Sequence, residues 1–258
     1  MRNLKSGRSN QPRLFLIYGP AGAMKTRLIS CFPAPYVADF DNKLFSLEGS
    51  DVLAESFVSH FTPSSGKGRQ DSAIIAQESG VSIIVDFEQR LRGWAKFKER
   101  EDRVTFAIDS LTLYSDALLR RVQALNQTAN RPPDQNTFRI QMDAIMNTIS
   151  LLRSMNNPVI VTAHETELKD ESSGQVLKMV PLVTGKLKDR LSAYFTDVYH
   201  AERRNIKGKT TAIFTTSGSG MYETRCSFKD MPAKLTFDEL AEFLKEHKSL
   251  LGGEVNQS

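Results

Sequence analysis

The chain of 258 residues has two cysteines, Cys31 and Cys226, and one tryptophan. Two cysteines can build neither a disulfide framework nor a four-cysteine zinc site, and a reduced, cytoplasmic setting is expected. No apolar run approaches bilayer-spanning length. Residues 1–12 are polar and basic and lack the apolar centre of a signal peptide. Neither sign of charge dominates: 34 Lys and Arg stand against 30 Asp and Glu, a net charge of +4. That balance is compatible with a polyanionic partner and does not demand one. There is no internal repeat, which excludes a solenoid.

What is present describes an ordinary globular protein, with 40% hydrophobic and 25% charged residues. One large domain is expected over 13–248, between flexible tails at 1–12 and 249–258. Short apolar runs at Arg13–Tyr18, Tyr36–Phe40, Val104–Asp109 and Pro158–Ala163 read as buried strands. Between them lie helical patterns: Lys25–Cys31, a segment carrying Ile84, Phe87, Leu91 and Trp94, residues 112–125, and a helix carrying Phe138, Met142, Ile145, Ile149 and Leu152. Alternation of this kind predicts an α/β fold with a mainly parallel sheet and helices on both faces. Residues 60–80 and 126–136 read as loops, and 167–186 as a polar loop with an apolar stretch at Val180–Val183. Phe195–Ala201 and Thr210–Thr216 suggest a hairpin turning around Asn205–Gly208. A final helix opens at Thr236 with Glu239 three residues on, a capping-box pattern.

The most informative segment is Gly19-Pro20-Ala21-Gly22-Ala23-Met24-Lys25-Thr26, followed by Arg27. It follows a strand and opens a helix, the context in which G-x-x-x-x-G-K-[ST] cradles phosphates. Backbone N–H groups and the helix start favour an anion there. Lys25 would reach the β and γ phosphates of ATP, and Thr26 would place its hydroxyl on Mg²⁺. Met24 departs from the pattern, because glycine is usual before the lysine, and its side chain is expected to crowd the loop.

Three further strand ends carry candidate groups. Asp109 ends VTFAID beside the loop strand and suits the acid that holds the metal's water shell; capping of the helix at 112–125 by Asp109 and Ser110 is the alternative. Asp39 and Asp41 end the second strand, and one of them is placed to orient an attacking water, with Glu48 as a fallback. His164 ends the fourth strand and suits a sensor of the γ phosphate, or a structural histidine. His164 and Glu165 do not open a zinc-binding H-E-x-x-H motif, since Leu168 occupies the second histidine's place.

Taken in order, GPAGAMKT, VADFD, FAIDS and VTAHE resemble the strand ends of the RecA-like core ATPases. More narrowly they resemble phage-encoded nucleotide-binding proteins of the single-strand annealing group, over about residues 13–205. The resemblance implies ATP and Mg²⁺ as cofactors, Thr26 and Asp109 on the metal side, and Lys25, Asp41 and His164 as catalytic groups. Asp41 falls where the family carries a longer glutamate. Thr184–Arg190 resembles the segment lending basic residues to a neighbour's nucleotide, which makes Lys186 and Lys188 candidate fingers in a homo-oligomer. Single-stranded DNA is the implied partner, through loops near 126–137 (Arg131) and 167–183 (Lys169, Lys178), with a single-strand binding protein as a further partner. Neither loop interleaves aromatics among its charges as stacking platforms do. Arg203, Arg204, Lys207 and Lys209 form the densest basic cluster, suited to phosphates or to a solvated hairpin tip. A nucleotide kinase and a poorly hydrolysing switch are the competing functions. Lys67 and Arg69 alone make a poor kinase lid.

Overall fold

The computed structural model describes residues 13–58, 82–94, 104–128, 131–155, 157–206, 208–247 and 251. The loop expected at 60–80, with Lys67 and Arg69, and the tails, apart from Leu251, lie outside these residues.

An eight-stranded sheet organises the molecule. Its strands are β1 (Leu14–Tyr18), β2 (Pro35–Asp39), β3 (Leu53–Ser56), β4 (Thr105–Asp109), β5 (Val159–Ala163), β8 (Asp197–Ile206), β9 (Lys209–Thr215) and β10 (Lys234–Thr236). They lie in the order β10-β9-β8-β1-β5-β4-β2-β3. Pairing is parallel from β8 to β3, and β9 runs antiparallel to both its neighbours. Every residue of β1, β4 and β5 is buried. Such strands need cover on both faces, which is why they read as continuous apolar runs.

The cover comes from two separate cores. On one face α2 (82–94), α3 (Leu111–Leu125) and α4 (Gln135–Ser154) pack Ile84, Phe87, Tyr114, Ile145 and Ile149 against Leu16, Ile108 and Val161. On the other, α1 (Lys25–Ile29) and α5 (Phe237–Glu246) pack Leu28, Phe237, Leu240 and Leu244 against Phe15, Ile17 and Phe214. Each fully buried Leu, Ile or Phe contributes about 1.5–3 kcal/mol. Asp134 begins α4 by accepting a hydrogen bond from the Thr137 amide at 2.7 Å. Thr236 and Glu239 form the expected capping box, and Leu235 and Leu240 are buried beside it.

The structure departs from the sequence reading in its polar half. Residues 167–186 are not a loop. Most of them form a second sheet, the hairpin of β6 (Glu165–Lys169) and β7 (Val176–Pro181), and a 3₁₀ turn at Gly185–Asp189. Asp170 shapes the turn by accepting hydrogen bonds from the Ser172 and Ser173 amides. The β8–β9 hairpin runs further into solvent than its apolar core suggested, reaching Ile206 before it turns. Asp109 also does not stand directly beside the loop strand, because β5 lies between β1 and β4.

One backbone contact fixes where the glycine loop leaves the sheet. Gly19 follows β1 with φ of +152°, and a Cβ there would lie 2.0 Å from the Ala201 carbonyl oxygen. No side chain can yield at that contact, since the obstacle is backbone. Gly19→Ala is expected to cost about 3 kcal/mol or more of unfolding free energy. Urea denaturation measures this, and a midpoint equal to the wild type would contradict it.

Candidate functional site

All four motif-bearing strand ends fall on one edge of the sheet. The carboxyl ends of β1, β5, β4 and β2 are consecutive and parallel, so the loop after each opens into the same crevice. The segment after β1 turns at Gly22 (φ +76°) and Met24 (φ +58°) before α1 begins. Met24 therefore occupies the left-handed region, where a side chain costs about 1–2 kcal/mol. Backbone conformation is thus the reason glycine suits this position, and crowding is relieved by packing Met24 partly against the α1–α5 core. Because α1 has only five residues, the loop amides and Lys25 outweigh any helix dipole.

Lys25 is buried at the centre of the loop, donating hydrogen bonds to the Gly19 and Pro20 carbonyls at 2.9 and 2.8 Å. Burial pushes its ammonium down to about 8 despite the nearby carboxylates of Asp109 and Asp41. A negative charge brought to the loop favours the charged form again. The Arg27 guanidinium lies 5.0 Å from the Phe237 ring centroid, so that side chain is directed at α5.

Thr26 donates to Asp109 Oδ2 at 2.7 Å, bridging the start of α1 to the end of β4 across the intervening strand. Thr162 of β5 completes the bridge by donating to Asp109 Oδ1. Asp109 as a whole is 2% exposed. Burial pushes its pKa up, opposed by the hydroxyls of Thr162 and Thr26. Ser110 stands at the N-cap of α3 without a side-chain capping bond, and both Asp109 oxygens are engaged away from that helix.

Asp39 and Asp41 divide their work. Asp39 is fully buried, and its Oδ1 accepts from the amides of Asp41 and Asn42 at 3.0 and 2.9 Å. Burial raises its pKa, as do the adjacent Asp109 and Asp41 charges. Asp39 thus shapes the turn that presents Asp41. Asp41 is held by Lys43 at 3.0 Å and lies 3.8 Å from His164 Nε2. Burial, then the Lys25 charge, pushes His164 below its ordinary value, so it is neutral at pH 7. Its backbone amide donates to Thr112 Oγ1 at 3.0 Å. Glu48, the fallback acid, is exposed beyond the 3₁₀ turn at Leu44–Leu47.

Between the loop, His164 and the β6–β7 hairpin opens a cleft of about 750 Å³, lined in part by Pro20, Ala21, Glu165 and Glu167. Glu165 accepts from buried His200 at 2.7 Å, and Tyr222 stacks on the His200 ring at 3.7 Å. The Tyr18 hydroxyl meets the carbonyls of Met179 and Glu223. Lys169 pairs with Glu167 at 2.8 Å, while Arg131 and Lys178 are exposed. The 3₁₀ turn at Gly185–Asp189 carries Lys186 and a half-buried Lys188, and Thr184 ties its start to Gln141 at 2.5 Å. Among the described residues no group of three His, Cys, Asp or Glu side chains is arranged to hold a metal.

Sequence reasoning missed Thr162 and Thr112, the two hydroxyls that fix Asp109 and His164. A polar residue inside the otherwise apolar β5 was the available signal for Thr162. Thr162→Val keeps the shape and removes the donor, leaving a buried carboxylate oxygen short of a partner. It is expected to cost about 1–3 kcal/mol of stability; a urea midpoint within error of the wild type would contradict the bridge.

Solved structures similar to the chain include the flagellar accessory protein FlaH from Methanocaldococcus jannaschii, at 10% identity and a TM-score of 0.42, covering 88% of this chain and 85% of that one. A prototypical ATPase of the type III secretion system of pathogenic bacteria matches at 13% identity and TM-score 0.44, covering 75% of this chain and 51% of that one. A KaiC-like protein from Pyrococcus horikoshii OT3 matches at 9% identity and TM-score 0.38, covering 79% and 77%. No curated protein sequence matches the chain. Among the described residues, no helix is long and apolar enough to cross a membrane. A family model described as an AAA domain matches residues 11–226, and with the glycine loop, Lys25 and the Thr26–Asp109 pair in place the chain belongs to that family of P-loop nucleotide-binding domains.

Proposed function

We propose that the chain is an ATP-binding and ATP-hydrolysing DNA recombination protein that binds or anneals single-stranded DNA as a homo-oligomer. The observation that carries the nucleotide part is the 2.7 Å contact of Thr26 with Asp109 at the foot of the glycine loop. The DNA part is supported by the resemblance of the four strand ends to phage annealing proteins, with a single-strand binding protein as a further partner.

The residues present fit the cofactors. The loop amides of Gly19–Thr26 and the Lys25 ammonium bind triphosphate oxygens. Thr26 and Asp109 offer the hydroxyl and carboxylate oxygens that Mg²⁺ accepts. When bound, the ion supplies charge neutralisation at the phosphates. Asp41 accepts a proton from, or orients, the attacking water. Neutral His164 donates one hydrogen bond toward the terminal phosphate, and its strand end carries the β6–β7 hairpin, so phosphate state is passed to the hairpin's outer surface. Lys186 and Lys188 reach a neighbouring subunit's nucleotide.

A second reading, a nucleotide-dependent switch with little hydrolysis, has one observation in its favour. Both oxygens of Asp41 are already engaged by Lys43 at 3.0 Å, and a water would have to compete with that contact to reach them. The Asp41→Asn variant should slow turnover at least tenfold if Asp41 works on water.

Steady-state ATP hydrolysis with and without single-stranded DNA tests the proposal. Stimulation by DNA is expected, with loss of nucleotide binding in Lys25→Ala. His164→Ala should keep ATP affinity while DNA affinity stops responding to ATP. Unchanged nucleotide affinity in Lys25→Ala would remove the site, and no DNA binding in any nucleotide state would remove the DNA role.

A further inference from the structure

The basic tip of the β8–β9 hairpin is one cluster in sequence, and the fold divides it. Side chains on a strand alternate between faces. Tyr199 and Ala201 of β8 belong to the core that holds α1 and the loop's Ala23. Arg203 continues that face. His200, Glu202 and Arg204 share the opposite one, where His200 meets Glu165 and Arg204 donates to Glu202 at 3.0 Å. Lys209, across the turn, lies 3.9 Å from Asp238.

Register then brings Arg203 to the loop. β1 and β8 are parallel, with Tyr18 opposite His200. The next step sets Gly19 against the Ala201 carbonyl. From there the β1 chain turns into the glycine loop while β8 continues to Ile206. A Cβ placed on Gly22 would lie 4.0 Å from Arg203 Nη1. Arg203 is exposed and makes no ion pair among the described residues. The β8 side of the loop thereby carries a cation, opposite the β5–β4 side where Thr162 and Asp109 stand.

We propose that Arg203 is a phosphate-binding residue of its own chain's nucleotide site, a guanidinium clamp that holds the bound phosphates against the glycine loop. This rests on the nucleotide reading above. A guanidinium suits the task because it stays charged and presents paired N–H donors to phosphate oxygens. The clamp links bound nucleotide directly to the β8–β9 hairpin.

The test is calorimetric titration of the full-length chain with ATP and ADP in the presence of Mg²⁺. Arg203→Ala is expected to weaken ATP binding about 10- to 100-fold, with Arg203→Lys intermediate. Arg204→Ala, one residue on and facing away, should bind ATP within about twofold of the wild type. Wild-type binding with no loss in Arg203→Ala overturns the clamp and leaves the loop assignment standing. No binding by the wild type removes both. Equal losses in Arg203→Ala and Arg204→Ala would assign the effect to hairpin folding and overturn the proposal. A titration with single-stranded DNA in the absence of nucleotide separates the two sources of phosphate: retained DNA affinity in Arg203→Ala supports the clamp. Lost DNA affinity beside intact ATP affinity overturns it. Finally, Arg203→Ala is mixed with Lys25→Ala. Recovery of tight ATP binding in the mixture would place Arg203 at a neighbour's site and overturn the same-chain assignment.

Discussion

The site depends on keeping one carboxylate, that of Asp109, in a nearly dry sheet edge. A buried carboxylate is tolerated only where hydrogen-bond donors meet it. Here the donors come from two other elements: Thr26 at the start of α1 and Thr162 near the end of β5. Three pieces of chain distant in sequence must therefore end at the same level of the sheet. The strand order β1-β5-β4 makes this possible by placing β5, with its hydroxyl, between the other two. Gly19, pressed on the Ala201 carbonyl, sets the height at which the loop departs and so the reach of Thr26.

The charges around that carboxylate are balanced locally. Lys25 and Asp41 lie close enough to His164 to act on its charge, and burial resists charge on Lys25, Asp109 and His164. The result is a lysine whose charge is weakened by desolvation, a histidine pushed toward its neutral form and an acid restrained by hydroxyls. Such an arrangement favours an incoming polyanion, which stabilises the lysine charge that burial disfavours.

The parallel half of the fold was legible because its strands are buried on both faces and read as apolar runs broken by helical periods. The strand-end acids and His164 were legible for the same reason, since each polar residue closes an apolar run. The β6–β7 hairpin was not, because Glu165, Thr166, Glu167 and Lys169 present no apolar alternation and its outer half is solvated. β3 was hidden similarly: Leu53–Ser56 is largely exposed at the sheet edge. Nothing local in β5 encodes that it inserts between β1 and β4; long-range pairing decides it. The basic cluster at 203–209 was visible as charge, but its division between two faces required the register of β8 against β1.

His164 and Glu165 are consecutive, yet they look in different directions. His164 approaches Asp41 at the β2 side, and Glu165 holds His200 at the β8 side. The peptide joining them lies between these two contacts. The His164 carbonyl accepts from Leu182, and the Leu182 carbonyl accepts from Thr112, so the chain at His164 is tied to α3. The two flanks of the sheet are therefore joined through one dipeptide at the mouth of the loop, with a polar contact at each end.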